Sequence, residues 1–264
     1  MLRSMYSGIS GLKNFQTKLD VIGNNIANVN TYGFKKGRTV FKDLYSQTVA
    51  GASAPGGNRG GVNPKQVGLG SQLATIDTLH TAGSTQFTGN TLDLAIEGDG
   101  FFVVKDGTKD VYTRAGNFYM DQNGDVVDGD GRYLQKTGGG KITIPPTATS
   151  MSIGQNGSVT YVPDTGGNPV EVGIINIAKF NNPGGLNKVG GNIFEASTNS
   201  GPVIPGAPQS GGRGTIKSGS LEMSNVDLSE EFTEMIVAQR GFQANTRIIT
   251  TSDEILQELV NLKR

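Results

Sequence analysis

The 264-residue sequence contains no cysteine, no tryptophan and a single histidine, His80. The missing cysteines exclude disulfides, thiolate metal sites and cysteine nucleophiles. One histidine leaves almost no room for a histidine metal cluster or a Ser-His-Asp triad. We therefore expect no enzyme activity, no catalytic residues, no metal site and no cofactor.

An excess of charge of either sign is also missing, because 23 Lys and Arg residues balance 23 Asp and Glu residues. No long-range field therefore favours nucleic acid, and we expect neither a nucleic acid nor a small-molecule substrate as partner. No apolar run approaches the roughly 18 residues that span a bilayer, and the N-terminal segment lacks the apolar core of a cleaved signal peptide. We expect a protein that is soluble or exported without such a signal.

Glycine is abundant, at 40 residues, while apolar residues make up only 35% of the chain. The composition changes along the sequence, from a helical start through a Gly, Asn and Thr-rich middle to a helical end. This order predicts an α+β protein in which discontinuous, coiled-coil-like N- and C-terminal helices flank a β-rich, sandwich or barrel-like middle domain. The predicted segments are an N-terminal helix over 1–30, an extended connecting segment with a Gly-rich loop over 31–75, a β-rich domain over 76–220 and a C-terminal helix over 221–264.

The first helix carries apolar residues about every 3.4 positions, a period typical of coiled coils. These eight residues form the predicted N-terminal assembly seam: Leu2, Met5, Ile9, Leu12, Phe15, Leu19, Ile22 and Ile26.

The C-terminal helix begins after Asp227, which with Glu230 forms a plausible capping box. Its predicted assembly seam is apolar but interrupted by polar residues: Leu228, Phe232, Met235, Gln239, Phe242, Thr246, Ile249, Asp253, Leu256 and Val260. Two arrangements fit these patterns. The two helices can pair with each other as a hairpin, or they can pack between copies of the chain, where polar seam residues would select one register.

The middle of the chain reads as about ten short strands separated by turns. Leu92 to Glu97 alternates apolar and polar residues, and Phe101 to Val104 is an apolar run. Further predicted strands lie at 111–120, 126–127, 141–144, 150–153, 158–162 and 170–180. Residues 51–70, with seven glycines, are expected to form a flexible linker or extended loop.

Three motifs that could suggest chemistry have simpler explanations. Asp121, Asn123 and Asp125 imitate the start of a calcium loop, but Gly124 stands at the fourth rather than the sixth position and Arg132 stands where the bidentate glutamate belongs. The Gly98-Asp99-Gly100 segment lacks the third glycine and the helix of a dinucleotide site. Asn156-Gly157-Ser158 matches a glycosylation motif, and a turn explains it equally well.

The most specific segment is residues 19–35, LDVIGNNIANVNTYGFK, where a helix passes into asparagine-rich backbone. Asparagine side chains compete for backbone hydrogen bonds, so they weaken a helix and favour a turn. The residues of this signature turn are Asn24, Asn25, Asn28, Thr31, Gly33 and Phe34.

This segment resembles the N-terminal signature of bacterial flagellar axial proteins, the rod and hook family. Two further segments resemble the same family in the same order: LAIEGDGFFVV at 94–104, and GSLEMSNVDL at 219–228 leading into MIVAQR at 235–240. The resemblance therefore covers both ends of the chain and the start of its middle domain.

The resemblance implies a structural subunit of the flagellum that is exported through the type III apparatus without a cleaved signal and polymerises into a hollow helical tube. The implied partners are copies of itself, other axial proteins (rod, hook cap and hook-filament junction proteins) and the export apparatus. The C-terminal segments favour a short hook subunit, a flexible joint that transmits torque. The alternative is the distal rod protein of the basal body, a rigid drive shaft, and a different class would be a β-rich surface binding domain.

Overall fold

A computed structural model describes residues 2–56, 60–164 and 167–262. Two long helices, α1 (Leu2–Ala27) and α2 (Leu228–Leu262), enclose the strands in sequence. Within the described ranges, neither helix offers an apolar stretch able to span a bilayer. The strands are β1 (Gly37–Asp43), β2 (Ser46–Ala50), β3 (Lys65–Gly68), β4 (Ser71–Thr78), β5 (Thr85–Phe87), β6 (Leu94–Glu97), β7 (Phe101–Asp106), β8 (Lys109–Thr113), β9 (Tyr119–Met120), β10 (Val126–Val127), β11 (Tyr133–Leu134), β12 (Ala148–Ile153), β13 (Ser158–Pro163), β14 (Val170–Ile174), β15 (Ile177–Lys179), β16 (Asn187–Gly190), β17 (Ile193–Glu195), β18 (Ile204–Gly206), β19 (Thr215–Ser218) and β20 (Ser220–Glu222).

The chain forms two compact units, and each contains more than one stretch of sequence. The helical unit comprises residues 1–27, 37–78 and 227–264, and the β unit comprises 28–36 and 79–226. The chain thus passes between units after residues 27, 36, 78 and 226, rather than at the predicted segment boundaries of 30, 75 and 220. The assignment of separate roles to the four predicted segments remains a prediction.

In the helical unit, α1 and α2 run antiparallel. Gly8 lies beside Ile249, Phe15 beside Gly241, and the Lys18 ammonium lies 2.9 Å from the Glu234 carboxylate. A Cβ on Gly241 would lie 2.5 Å from Cζ of Phe15, so the aromatic ring packs directly on the α2 backbone. Glycine weakens a helix by about 1 kcal/mol, and here it allows close approach of the two helices.

The same unit contains two antiparallel strand pairs, β1 with β4 and β2 with β3. The Asn14 side chain of α1 donates to Ser71 Oγ at 2.8 Å, and Ser10 Oγ accepts the Ser71 amide, so the start of β4 is tied to the helix. The β2 and β3 hairpin is exposed along both strands. Among the described residues of the 51–70 segment, predicted as a flexible linker or extended loop, those of β3 form a strand, and Ser53 and Val62 pair in an isolated bridge. Residues 57–59 of that segment lie outside the described residues.

The β unit is built around β7, whose run of four apolar residues is buried on both faces. Phe102 and Val104 point into the larger hydrophobic cluster, which includes Leu94, Phe118 and Ile177. The alternate residues of β7, Phe101 and Val103, point into a second cluster. Period-two alternation explains how one strand supplies two cores.

Antiparallel pairing places β7 in the centre of a sheet ordered β16-β17-β8-β7-β11-β10-β9, with β15 pairing β7 and β18. Smaller sheets join β12, β13 and β14, β6 with β19, and β5 with β20. The α+β prediction is confirmed, and the described strands do not close into a barrel. Most predicted strands are present. The predicted strand at 141–144 is not, because this segment forms only two isolated bridges, Lys141 with Gln135 and Thr143 with Asp125.

Candidate functional site

The signature segment divides between the two units, and its first half fastens α1 within the helical unit. Asn25 is buried, and its side-chain amide forms two hydrogen bonds with the backbone of Gly37 at the start of β1, as a neighbouring strand would. It donates to the Gly37 carbonyl at 2.9 Å and accepts the Gly37 amide at 2.9 Å. It also donates to Glu231 of α2 at 3.1 Å. One asparagine thus joins α1, β1 and α2, whereas Asn24 is exposed.

The second half of the signature forms a turn in the β unit. The Thr31 amide and hydroxyl donate to the Asn28 carbonyl and side chain, each at 3.1 Å, and the Phe34 amide donates to the Thr31 carbonyl. Gly33 adopts a φ of +69°, in the left-handed region. A Cβ there would lie 2.5 Å from the Ala115 backbone nitrogen, so this turn needs glycine for both its dihedral and its closeness.

The turn delivers Lys35 into a buried ion cluster that we call the Lys35–Arg114–Glu222 cluster. Glu222 is 2% exposed, and its carboxylate accepts Lys35 Nζ at 2.7 Å and Arg114 Nε at 2.5 Å. The Gly83 amide donates to the same carboxylate at 3.0 Å, and Lys35 also donates to the Thr81 carbonyl. Every charge in the cluster is therefore hydrogen-bonded, as burial of ions requires.

Arg114 connects the cluster to the second family segment. Its guanidinium donates to the carbonyls of Ile96 at 2.9 Å and Gly98 at 2.6 Å, and also to that of Gly100. The 94–104 segment therefore bends around an arginine, and its glycines serve a turn rather than a dinucleotide site. All three family segments meet at one buried cluster.

The third family segment contributes more than Glu222. The Gly33 amide donates to the Glu222 carbonyl at 2.8 Å, and the Lys36 amide donates to Asn225 Oδ1 at 2.8 Å. Asn225 Nδ2 donates to the Leu79 carbonyl at 2.9 Å. In the helical unit, Asp227 then caps α2 by accepting the amides of Ser229 and Glu230.

The electrostatics of the cluster follow from burial and pairing. Burial alone would raise the pKa of Glu222, but Arg114 and Lys35 outweigh it and hold that pKa below its usual value. Burial lowers the pKa of Lys35, and Glu222 opposes this effect. Sequence reasoning missed Lys35, Arg114 and Glu222 as a site. No local pattern indicated the site, because the three residues come from distant parts of the chain.

His80 lies beside the cluster in a loop, and its ring packs edge-on against Phe101 and Phe194 at 5.6 and 5.5 Å. Burial and the nearby cations of Lys35, Lys188 and Arg114 lower its pKa to about 4. Among the described residues, its buried Nδ1 has no hydrogen-bond partner. A cavity of about 240 Å³ adjoins His80, Lys35 and Arg114. The neutral histidine acts as an aromatic packing residue.

The residues of the two predicted assembly seams differ in how exposed they are. On α1, Ile22 is buried, Ile9 is exposed, and Met5, Leu12, Phe15, Leu19 and Ile26 are half-buried. The Leu2 side chain lies outside what the structure describes.

On α2, Met235, Ile249 and Leu256 are half-buried, while Leu228, Phe232, Gln239, Phe242 and Val260 are exposed. The residues of α2 buried in the helical unit are Glu231, Ala238 and Ser252, one position before Phe232, Gln239 and Asp253. The structure thus contains the intramolecular hairpin, and assembly through the predicted seams remains a prediction.

In the loop that resembles a calcium site, the Asp125 carboxylate is bound by other side chains of the protein. The buried carboxylate accepts hydrogen bonds from Lys141 Nζ and from the Thr143 hydroxyl, each at 2.6 Å. No group of three or more His, Asp or Glu side chains suited to a metal ion occurs in the described part of the chain. Asn156 accepts the amide and hydroxyl of Ser158, which is a local turn.

Family profiles match the chain in three places that contain the cluster residues or their neighbours. They are "Flagella basal body rod protein" over 5–35, "Flagellar hook protein FlgE/F/G D1 domain" over 95–161 and "Flagellar basal body rod FlgEFG protein C-terminal" over 217–262. The fold and its motifs therefore define an axial structural protein of the bacterial flagellum.

Full-length relatives agree. The chain is 62% identical over 265 residues to the flagellar basal-body rod protein FlgG of Bacillus subtilis, covering 100% of both proteins. It is 40% identical over 270 residues to the FlgG of Borreliella burgdorferi, again covering 100% of both. It is 33% identical over 441 aligned positions to the flagellar hook protein FlgE of Borreliella burgdorferi, with 100% of both covered. The chain belongs to the flagellar rod and hook protein family.

Proposed function

We propose that the chain is a rod subunit of the flagellar basal body, the distal rod alternative of the sequence analysis, rather than a hook subunit. One observation carries this proposal. The alignment with the Bacillus subtilis rod protein, at 62% identity, needs 265 positions for this chain of 264 residues. The alignment with the Borreliella burgdorferi hook protein needs 441, because that protein carries many residues without a counterpart here.

The partners follow from the same proposal: copies of this chain, neighbouring rod and hook proteins, and the export apparatus that delivers axial proteins. The terminal helices would line the tube, and the β unit would face outward. A subunit contact whose rotation does not close produces a helical filament. No catalytic activity is part of this function.

Exposed apolar side chains on α2 support assembly through the helices. Ile236 and Val237 are both 59% exposed, and Phe232, Ile255, Leu259 and Val260 are exposed as well. Burying one such side chain stabilises an interface by about 1.5 to 3 kcal/mol. Covering these side chains with other subunits would therefore supply much of the free energy of polymerisation.

The position of the protein along the flagellar axis separates rod from hook. Epitope-labelled protein should be found by electron microscopy within the basal body of isolated hook–basal body complexes. Label confined to the hook would overturn the proposal. Val237→Asp should abolish incorporation while the purified chain retains its β-unit circular dichroism, and Gln243→Asp, another exposed α2 position, is the matched control.

A further inference from the structure

Helix α2 uses only a narrow stripe of its surface to pack within the helical unit. Its buried residues are Glu231, Ala238 and Ser252, which are spaced by multiples of seven and therefore lie on one side of the helix. Gly241, close to Ala238 on the same side, packs against Phe15 of α1. We call this stripe the inner seam of α2. Most of the remaining surface of the helix is exposed.

A second stripe of small and apolar residues runs along α2 beside the inner seam, and we call it the outer stripe. Its positions alternate in steps of four and three residues, the spacing by which one helix packs on another. On a helix with 3.6 residues per turn, the outer stripe lies roughly 100° around the axis from the inner seam. It consists of Val237, Gly241, Ala244, Ile248, Thr251 and Ile255.

The large side chains of the outer stripe are uncovered within the chain. Val237 is 59% exposed, Ile248 45% and Ile255 44%, although valine and isoleucine are among the residues most often buried. All three are β-branched, as is typical of helix seams, and the small Gly241 and Ala244 between them leave room for a second helix to come close. The outer stripe therefore has the composition of a packing surface rather than of a solvated face.

The outer stripe is not the C-terminal seam that the sequence predicted. That seam lies on the other side of the inner seam, and it is interrupted by the exposed residues Gln239, Thr246 and Asp253. The outer stripe contains no charged residue. Its one polar side chain, the Thr251 hydroxyl, donates to the Arg247 carbonyl of the same helix and so needs no partner from outside.

Charged residues border the outer stripe on the side away from the inner seam. Arg240, Arg247 and Glu254 recur every seven residues, so they form one row along the helix, and all three are exposed. Charges beside an apolar heptad seam set the choice and orientation of the partner helix. Because this row carries both signs, it can pair with the same row on another copy of the chain, which a row of one sign could not do.

We propose that the outer stripe is the surface on which a helix of a second copy of this chain packs in the assembled structure. The inference rests on the proposed function, and it names the face and the partner that the function leaves open. The heptad spacing fits a helix, the charged row can pair with itself, and the outer stripe continues the α1–α2 contact through Gly241. Each α2 then packs on α1 of its own chain and on a helix of another copy, so the contact can be repeated from copy to copy.

Photo-crosslinking identifies what covers the outer stripe. The photoreactive amino acid benzoylphenylalanine is placed in the full chain at Thr251, or at Thr250, an exposed neighbour of the same residue type that lies outside the outer stripe. Cells are irradiated and hook–basal bodies are isolated. We expect the Thr251 position to give a product with the mass of two copies of this chain, and the Thr250 position to lose most of it. Equal yields from both positions, or a Thr251 product that contains only other proteins, would overturn the proposal.

A charge placed in the outer stripe tests the same surface by assembly. Ile248→Asp should lower the amount of the chain in hook–basal bodies about 10-fold or more, because docking would bury a carboxylate without a partner. Thr246→Asp, at an exposed position of the predicted seam, should lower it less than about 3-fold, because that carboxylate stays in water. Purified Ile248→Asp should keep the wild-type circular dichroism, and normal incorporation of this variant would contradict the proposal. If Ile248→Asp does not fold, the crosslinking result decides.

The outcomes separate this inference from the proposed function. A two-copy product from Thr251 together with epitope label in the hook would overturn the rod assignment and leave the outer stripe supported. Label in the basal body without a two-copy product would overturn the outer stripe alone.

Discussion

Gly33 offers a quantitative test of the turn that brings the family segments together. Its φ of +69° disfavours any L-residue, and a Cβ would lie 2.5 Å from Ala115 N and 2.6 Å from the Arg114 carbonyl carbon. Both contacts are to backbone, so a side-chain rotation cannot relieve them. Gly33→Ala must therefore displace the turn from the backbone of Arg114 and Ala115, which directly follow β8.

Gly131 is the matched control, because it has a φ of +83° and nothing within 4 Å of its Cβ position. Gly131→Ala should cost only the left-handed strain, about 1 kcal/mol after the entropy gained in the unfolded state is deducted. At Gly33, overpacking adds roughly 1 to 3 kcal/mol, and loss of the Gly33 amide bond to Glu222 adds about 1 kcal/mol. The expected total for Gly33→Ala is about 3 to 5 kcal/mol.

Urea unfolding of the β-unit circular dichroism signal measures both variants, since slope and midpoint give the free energy of unfolding. The decisive quantity is the difference between them, because left-handed strain is common to both. If Gly33→Ala is within about 1 kcal/mol of Gly131→Ala, the close packing of the turn against Arg114 and Ala115 is refuted.

Two further changes test neighbouring features. Because of His80, the free energy of unfolding of the β unit should fall by up to about 3 kcal/mol as the pH falls from 6.5 to about 4. Over this range the histidine of the unfolded chain binds a proton and the histidine of the folded chain does not. Solvent at the partly buried ring reduces this value. His80→Phe should flatten the stability profile measured by urea unfolding over that range, and an unchanged slope would contradict the assignment. Gly241→Leu should lower the melting temperature of the helical unit by several degrees, because the new side chain would collide with the Phe15 ring. Adding Phe15→Ala to the same chain should restore part of the lost melting temperature. Purely additive losses would show that the two residues are not in contact.

The sequence patterns predicted that both helices and β7 exist, from the spacing of apolar residues in the helices and from the continuous apolar run of β7. The register of α2 was harder. Heptad spacing selected Phe232, which is exposed, and passed over Ala238, which is buried in the helical unit. A small residue such as alanine can be buried where two antiparallel helices are in close contact. Hydrophobicity alone does not distinguish a face that packs within the chain from one that awaits another subunit.

The ion cluster lay beyond sequence patterns for a different reason. Lysine, arginine and glutamate are rarely fully buried, so Lys35, Arg114 and Glu222 carry an expectation of solvent exposure. Their burial depends on contacts between residues more than 100 positions apart, which local patterns do not encode. The family segments marked the right regions without indicating that they meet.

The two-faced burial of β7 has a consequence for cooperativity. Phe101 and Val103 belong to one hydrophobic cluster, and Phe102 and Val104 belong to the other. Because alternate residues of one strand serve both clusters, neither cluster can come apart while the other keeps its central strand in place. Partial opening that spares half of the unit is thereby suppressed, and the sheet should yield to heat or mechanical load in a single all-or-none transition.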